Sequence, residues 1–598
     1  MEIDRRGLVA LGLILLLLGG GVGGLVGFTV AGPTVNSLIG GDLHLTGQVH
    51  SSDVVTDSLT DTGLSSGRIP VVGAGGLLGS STQAQADAFT YPESEASYIV
   101  WTSNATGTPW YYAKNGHTGN IDYSGADAAT VIQAAINALT SGGVISLGKG
   151  QFTLNAQISS QSRNNITLEG MGTGTVIKAG VNLNKDMIKL QSVSHWTLRN
   201  FEIDGNKANQ AGPIEDLFMS NIFVETCDHI KIENIYTHHG YNYGITISKG
   251  TQYFEVIGCT ADNNGDMIHG GDDGIQVTAY DYHNAIQSAQ CRWGVIAHCF
   301  AAGNAENGIE IETSSEIEVH DCITQDNHGI SGIEVDGDIA FAYCSGINIH
   351  DNIMISDKFG QRIEYAIYSQ FNNNYIINAN TTGYYILHTY YCDFNGNKIV
   401  GAVTEDGYLI SDSYSIKLLG GSIKSCARYG VYVLDSTERI TIDDVEIVAC
   451  VARGIHFGSS DVHSKIISCD IHDNTLVGIY VGAGVGELFI EGNVLEGNAN
   501  PQIDDDGVGT VIKNNLGFVT ENRVSATITA AATSIVVAHG CSYTPAAGDI
   551  HATLTNLPTT PIGDIYVDTI GAVNFTLHST TPPGAATAIF DVSITKTP

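Results

Sequence analysis

Between about Gly143 and Phe518 the chain is written in short runs of alternating apolar and polar residues, and the alternation restarts at regular intervals. Each run opens on a glycine, as in Gly308-Ile309-Glu310-Ile311-Glu312, Gly332-Ile333-Glu334-Val335-Asp336 and Gly478-Ile479-Tyr480-Val481. A period of two marks strands with one buried face. Gly383, Gly407, Gly430, Gly454 and Gly478 stand 24, 23, 24 and 24 residues apart, and Gly244, Gly274, Gly308 and Gly332 precede them. Repetition of this length marks a solenoid, in which each unit packs only on its neighbours. Asn and Gly crowd the joints (Asn263-Asn264-Gly265, Asn372-Asn373-Asn374, Asn395-Gly396-Asn397), where left-handed backbone is cheap for both. Strand, turn and period together predict an all-β fold, a parallel β-helix.

Ahead of the first coils the period changes. Ala129, Ile132, Ala135, Ile136 and Leu139 share one helical face, so a helix over 126–139 is expected to cap the open apolar end. The run GADAATVIQAAINALTSGGVISLGKGQFTL, from Gly125 to Leu154, resembles the opening of the pectate-lyase-like right-handed parallel β-helix superfamily, which includes polygalacturonases, rhamnogalacturonases, tailspikes and surface proteins. The resemblance covers roughly residues 110 to 520. It implies a fold and names no activity.

The ends read differently, with the β-helix expected over 93–520. Residues 32–92 are poor in aromatics, and Ser66-Gly67-Arg68-Ile69-Pro70-Val71-Val72-Gly73 resembles linker text of phage tail fibres, which implies an extended stalk. After Asn522 the text alternates between turns at Thr544-Pro545, Thr560-Pro561 and Pro582-Pro583-Gly584, so residues 521–598 are expected to form a β-sandwich. This segment resembles C-terminal modules of viral fibre proteins, which often trimerise or bind glycans, and the resemblance makes a homotrimer an implied assembly. Within residues 1–31, Gly7 to Val30 are 24 uncharged residues behind Arg5 and Arg6. That is long enough to span a bilayer with the arginines inside, and it also reads as a signal peptide cut near Thr29-Val30-Ala31. Either reading places the remainder outside: secreted, held at a cell surface, or on a virion.

Charge narrows the partners. With 62 Asp and Glu against 26 Lys and Arg, the net charge is −36, and no basic cluster beyond Arg5-Arg6 offers a footprint for nucleic acid. Most of the eleven cysteines follow a short strand at a repeated position, as in Val256-Ile257-Gly258-Cys259 and Ile447-Val448-Ala449-Cys450, and no CxxC occurs. Stacked buried thiols are expected rather than disulfides or a zinc site.

If the apolar positions face inward, the residues between them form outward columns with coils roughly 4.8 Å apart. Coil by coil the expected column reads Thr246 and Ser248, Gln276 and Thr278, Glu310 and Glu312, Glu334 and Asp336, Tyr368 and Gln370, then Tyr432, His456 and Tyr480. Four carboxylates fall in a two-by-two patch with separations from about 5 to about 8 Å, spanning those of retaining and inverting glycosidases. Crowded like charges raise a carboxyl pKa and yield a general acid. Bound Ca²⁺ would relieve the same repulsion and suit a lyase, for which Arg362 and Lys249 are the nearest bases in sequence. A solvated polar face is the third reading.

A second cluster precedes the patch. Asp272-Asp273-Gly274-Ile275-Gln276-Val277 is similar to the polygalacturonase Asp-Asp-Cys-Ile-x-Ile motif, a resemblance implying that Asp272 and Asp273 activate water and protonate the leaving oxygen. The family's other motifs are incomplete: Asn242-Tyr243-Gly244 stands where Asn-x-Asp is expected, and Glu306-Asn307-Gly308 where Gly-His-Gly is expected. The intervals Gly244 to Gly274 and Gly274 to Gly308 are lengthened to 30 and 34 residues, and insertions in a solenoid build its binding edge. The tyrosines of the column, with Tyr384 and Tyr385 nearby, suit the C–H faces of sugar rings, whereas His238-His239, His283 and His320 read as surface residues.

Two functions fit. In the first, the protein binds a polysaccharide or cell-surface glycan and cleaves it as a lyase or glycoside hydrolase. Asp272, Asp273, Glu310 and Glu334 are then catalytic, and Gln276, Glu312, Asp336, Arg362, Tyr368, Gln370, Tyr432, His456 and Tyr480 bind substrate. In the second, it is a structural adhesin or stalk.

Overall fold

The computed structural model describes residues 96–104, 107–212, 219–266, 272–281, 286–458, 461–556 and 558–595. The expected anchor and stalk over residues 1–92, and His283, lie outside the described residues. Among the described residues no helix is long and apolar enough to cross a membrane.

Fourteen strands, from Ile158–Ser159 to Ile503–Asp505, stack in chain order into one parallel sheet. The remaining walls of the solenoid join into a 32-stranded sheet that also takes in the N-terminal strands Tyr98–Ser103, Trp110–Asn115 and Ile121–Gly125. One coil shows the plan: Ile309–Glu312 lies in the fourteen-stranded sheet, and Ser315–His320 and Ile323–Gln325 supply the other walls. Ile309 and Ile311 point inward with no exposed surface, in register with Ile275 and Val277 on one side and Ile333 and Val335 on the other. Columns of branched aliphatics thus form the core, and their β-branching suits the pleated wall. All eleven cysteines are free thiols, and ten of them are buried, as their spacing predicts.

The glycine that opens each coil is a steric requirement. A Cβ on Gly383 would stand 2.6 Å from the carbonyl oxygen of Gly407, and one on Gly407 would stand 2.5 Å from that of Gly430. Neighbouring coils meet there backbone to backbone. Gly360 belongs to the same column, between Gly332 and Gly383. Many joint asparagines do more than turn the chain. The main-chain and side-chain amides of Asn264 donate to Asn304 Oδ1 at 3.1 and 3.0 Å, and those of Asn304 to Asn327 Oδ1 at the same distances. Asn327 ends this buried ladder on Asp357 Oδ1 at 2.9 Å. The left-handed turn residues are their neighbours, such as Asn263 and Asn373.

The capping helix runs Ala128–Ala138, with Asp127 accepting from Thr130 N at 3.1 Å and Ala128, Ala129, Val131, Ile132, Ala135 and Ile136 buried. It packs on the strands Trp110–Asn115, Ile121–Gly125 and Gly150–Leu154. At the other end, two three-stranded antiparallel sheets, one built on Ala588–Thr595 and one on Asn574–Ser579, bury Phe575, Leu577, Phe590 and Val592.

Candidate functional site

Register across the fourteen-stranded sheet orders the outward residues. The first column runs Gln276, Glu310, Glu334, Arg362 and Tyr385, then through Leu409 to Tyr432, His456 and Tyr480. The second runs Thr278, Glu312, Asp336 and Glu364. Tyr368 and Gln370, expected in these columns, are elsewhere. Gln370 pairs with Asn348 and Asp393 in the 32-stranded sheet, and Tyr368 is a left-handed corner residue (φ 52°) that is 65% exposed. The run after Gly360 fills this coil of the column instead, with Arg362 and Glu364 outward. Alternation identifies a strand's two faces and does not say which wall the strand joins.

The carboxylate patch is half-buried rather than solvated, and Glu334 is only 1% exposed. Glu310 accepts from Gln276 Nε2 at 2.6 Å, Glu334 from Asn307 Nδ2 at 2.6 Å, and Glu312 from Thr278 Oγ1. Arg362 bridges Glu334 and Glu364. Asp273 Oδ1 accepts from Asn307 N at 2.9 Å, whereas its Oδ2 is buried and, among the described residues, receives no N–H or hydroxyl bond. The Glu310 carboxyl lies within hydrogen-bonding reach of Asp273. A proton held between the two carboxyls would supply the missing bond.

The energetics agree. Burial and then the charge of Glu306 push the Asp273 carboxyl well above its usual range, and burial and then Asp273 do the same to Glu310. Glu312 is raised by burial against the pull of Thr278 and Gln287, and Glu334 by burial against Arg362 and Asn307. Asp336 rises to about 8, through burial and then the charge of Glu334. Between the unfolded value of about 4 and the folded value, the folded chain keeps a proton that the unfolded chain releases. Its contribution to stability is therefore full below about pH 4 and falls as pH rises toward about 8, by up to ~1.4 kcal/mol per unit. Asp336→Asn is expected to make the decline of unfolding free energy across this window shallower, measured by denaturant titration at several pH values. An unchanged slope would remove Asp336 from the set of protonated carboxyls.

The two aspartates of the motif divide. Asp272 accepts from Asn242 Nδ2 at 3.1 Å and from Asp266 N at 3.4 Å, and its own N–H donates to Glu306 at 3.3 Å. It ties three coils together while Asp273 meets Glu310. Asn242, Glu306 and Asn307, the residues that break the polygalacturonase pattern, are thus the partners of Asp272, Asp273 and Glu334. The lengthened coil after Gly274 carries a hairpin, Tyr280–Asp281 with Ile286–Gln287, and Gln287 accepts from Thr313 at 3.1 Å beside Glu312. Both base candidates for a lyase are clamped cations: Lys249 lies 2.5 Å from Glu225 and 2.8 Å from Asp281, and Arg362 sits between two glutamates. These carboxylates hold both pKa values up against burial.

Farther along the first column, Tyr432, His456 and Tyr480 lie with successive ring centroids 4.8 Å apart. Arg428 and Arg453, just before the glycines of successive coils, flank them, and sequence reading missed both because they stand outside the alternating runs. Tyr385 faces outward, while Tyr384 is fully buried and stacks on Tyr408 at 4.6 Å. His238 is a buried residue, not a surface one, with Nδ1 2.5 Å from His239 Nδ1 and Nε2 3.2 Å from Glu202. On the 32-stranded sheet, His298, His320 and Asp321 bring their ligand atoms within 4.8 Å of one another.

Two protein families match parts of the chain: the right-handed β-helix region over residues 406–549, and the periplasmic copper-binding protein NosD over residues 265–444. No match is found among curated protein sequences. Similar solved structures include the pre-mature gene product 12 of bacteriophage phi29, with 16% identity, TM-score 0.48, and coverage of 65% of this chain and 55% of that one. The chain thus spans about half the length of that protein. The A-module of the mannuronan C-5 epimerase AlgE6 of Azotobacter vinelandii has 18% identity, TM-score 0.37 and coverage of 65% and 95%. A point mutant of the tailspike protein of E. coli bacteriophage HK620, solved in complex with a pentasaccharide, has 10% identity, TM-score 0.43 and coverage of 80% and 92%.

Proposed function

We propose that the chain, a right-handed parallel β-helix in part matched by the β-helix family model, is an extracellular, cell-surface or virion-surface protein that binds polysaccharide along the fourteen-stranded sheet and hydrolyses it at the carboxylate patch. The Asp273–Glu310 pair carries this reading. A buried carboxyl pair whose pKa values burial and neighbouring charge both raise is suited to act as a general acid toward a glycosidic oxygen. Glu334 stands one coil away, roughly 4.8 Å along the sheet, close to the carboxyl separation of retaining enzymes. Burial raises the Glu334 carboxyl, and Arg362 and Asn307 pull it back toward the ionised form a nucleophile needs.

Hydrolysis then takes two steps. Glu310 gives its proton to the leaving oxygen as Glu334 bonds to the anomeric carbon. Water, deprotonated by Glu310, next displaces Glu334 and restores both groups. Asp272 positions Asp273, and Gln276, Glu312 and Asp336 face the sugar hydroxyls. Lyase chemistry is the weaker reading, because Lys249 and Arg362 are held protonated. Calcium would have to displace the proton from Asp273 and Glu310 and Arg362 from Glu334, so turnover is expected to survive EDTA. Copper, named in the description of one matching family, would find donors in His298, His320 and Asp321, of a kind suited to Cu(II), away from this chemistry.

The test offers residues 32–598 a panel of acidic and neutral polysaccharides and follows both reducing ends and the ultraviolet absorbance of unsaturated products. Reducing ends without that absorbance are expected. Unsaturated product would replace the hydrolase with a lyase. Glycan binding without turnover on any member would replace it with the adhesin, whose fibre-like ends also suit a homotrimer.

A further inference from the structure

The first column changes character along its length. Around Glu310 it is acidic. Five coils on, at Tyr432 and roughly 24 Å away, it becomes aromatic and cationic in a chain of net charge −36. Two arginines stand there with different partners. Arg428 is neutralised by Asp406, to which its Nε donates at 2.9 Å. Arg453 has no carboxylate within ion-pair distance among the described residues. Its guanidinium lies 3.9 Å from the centre of the Tyr480 ring and 5.9 Å from that of Tyr429. Its Nη1 is 3.1 Å from His456 Nδ1, and its Nε is buried without a hydrogen-bond partner.

His456 completes the arrangement. Burial, then Arg453 and Arg428, lower its pKa to about 4, so the ring is neutral at physiological pH. Arginine only donates, so Nδ1 accepts from Arg453 and the ring proton lies on Nε2. Arg453 and His456 therefore present donors side by side with no acidic partner, between the rings of Tyr429, Tyr432 and Tyr480. A half-buried guanidinium with no carboxylate partner among the described residues is suited to an oxyanion, and the ring faces suit a pyranose.

We propose that Arg453 and His456, with the tyrosines around them, form a subsite that seats a negatively charged sugar residue, its carboxylate or sulfate on the guanidinium and its ring on the aromatic faces. The inference rests on the glycan-binding reading above and adds the charge of the ligand. Because the subsite shares a column with the hydrolytic patch several sugar lengths away, a chain anchored here can cross Glu310. The overall negative charge does not prevent this, since fields beyond about 8 Å are screened at physiological salt.

The test screens the full chain and Arg453→Gln on an array of uronate-containing, sulfated and neutral oligosaccharides, and titrates the best binder and its carboxyl-reduced or desulfated form. Charged glycans are expected to bind at least about tenfold more tightly than their neutral counterparts, and Arg453→Gln to remove that preference while leaving the binding of neutral glycans. Arg453→Lys, which keeps the charge and loses the planar fork, is expected to recover only part of it. His456 imidazole resonances are expected to shift with charged ligands alone. Uronate and sulfate arms separate the two sources of charge. Equal binding of charged and neutral partners, or an unaffected Arg453→Gln, overturns this inference and leaves glycan binding standing. Binding of nothing on the array overturns both.

Discussion

Glu310→Gln is expected to lower kcat on the cleaved polysaccharide by about 10²–10⁴-fold, the usual worth of a general acid, with little change in glycan affinity. The substitution keeps the shape and the bond to Gln276 and removes the transferable proton. Asp273→Asn is expected to fall by a similar order, because the charge of Asp273 is a main cause, after burial, of the raised Glu310 carboxyl. The double variant should be scarcely worse than either single one, since members of one catalytic unit are strongly non-additive. Multiplied losses would separate the two residues into independent roles. The pH profile checks the same point: removal of the Glu310 proton at high pH defines the alkaline limb, and Asp273→Asn moves that limb. Glu334→Gln is expected to abolish turnover while glycan still binds.

Arg362→Gln is expected to have the largest effect on stability. Arg362 compensates Glu334 and Glu364, whose side chains are 1% and 13% exposed. Removing one partner of such a buried group leaves uncompensated charge and costs about 3–5 kcal/mol. The loss should be greatest at alkaline pH and shrink toward acid, because protonation of Glu334, whose carboxyl burial already raises, then relieves it. Melting curves at acidic and alkaline pH measure this, and Arg362→Met combined with Glu334→Gln and Glu364→Gln should recover much of the loss. Equal destabilisation at both pH values would show that packing of the arginine stem, not its charge, holds the coil.

Much of the fold was legible because a solenoid repeats a local rule. Glycine, alternating aliphatics and a joint recur in text, so the buried columns, stacked thiols and capping helix could be read from spacing. The two-by-two patch of Glu310, Glu312, Glu334 and Asp336 follows from the same rule, because parallel coils in register convert sequence periodicity into neighbourhood. Tyr368 and Gln370 show its limit. They alternate like outward residues, but Gly360, 28 residues after Gly332, restarts the coil and gives their places to Arg362 and Glu364.

What sequence alone determined is therefore which residues face out and which coils adjoin. The tertiary structure decided what those residues are chemically. It buried the patch, paired Asp273 with Glu310, clamped Lys249 and Arg362, and left Arg453 beside a neutral His456. Burial and charge pairing depend on side chains from several coils and from inserted hairpins meeting at one point, and no single repeat of the text contains that sum.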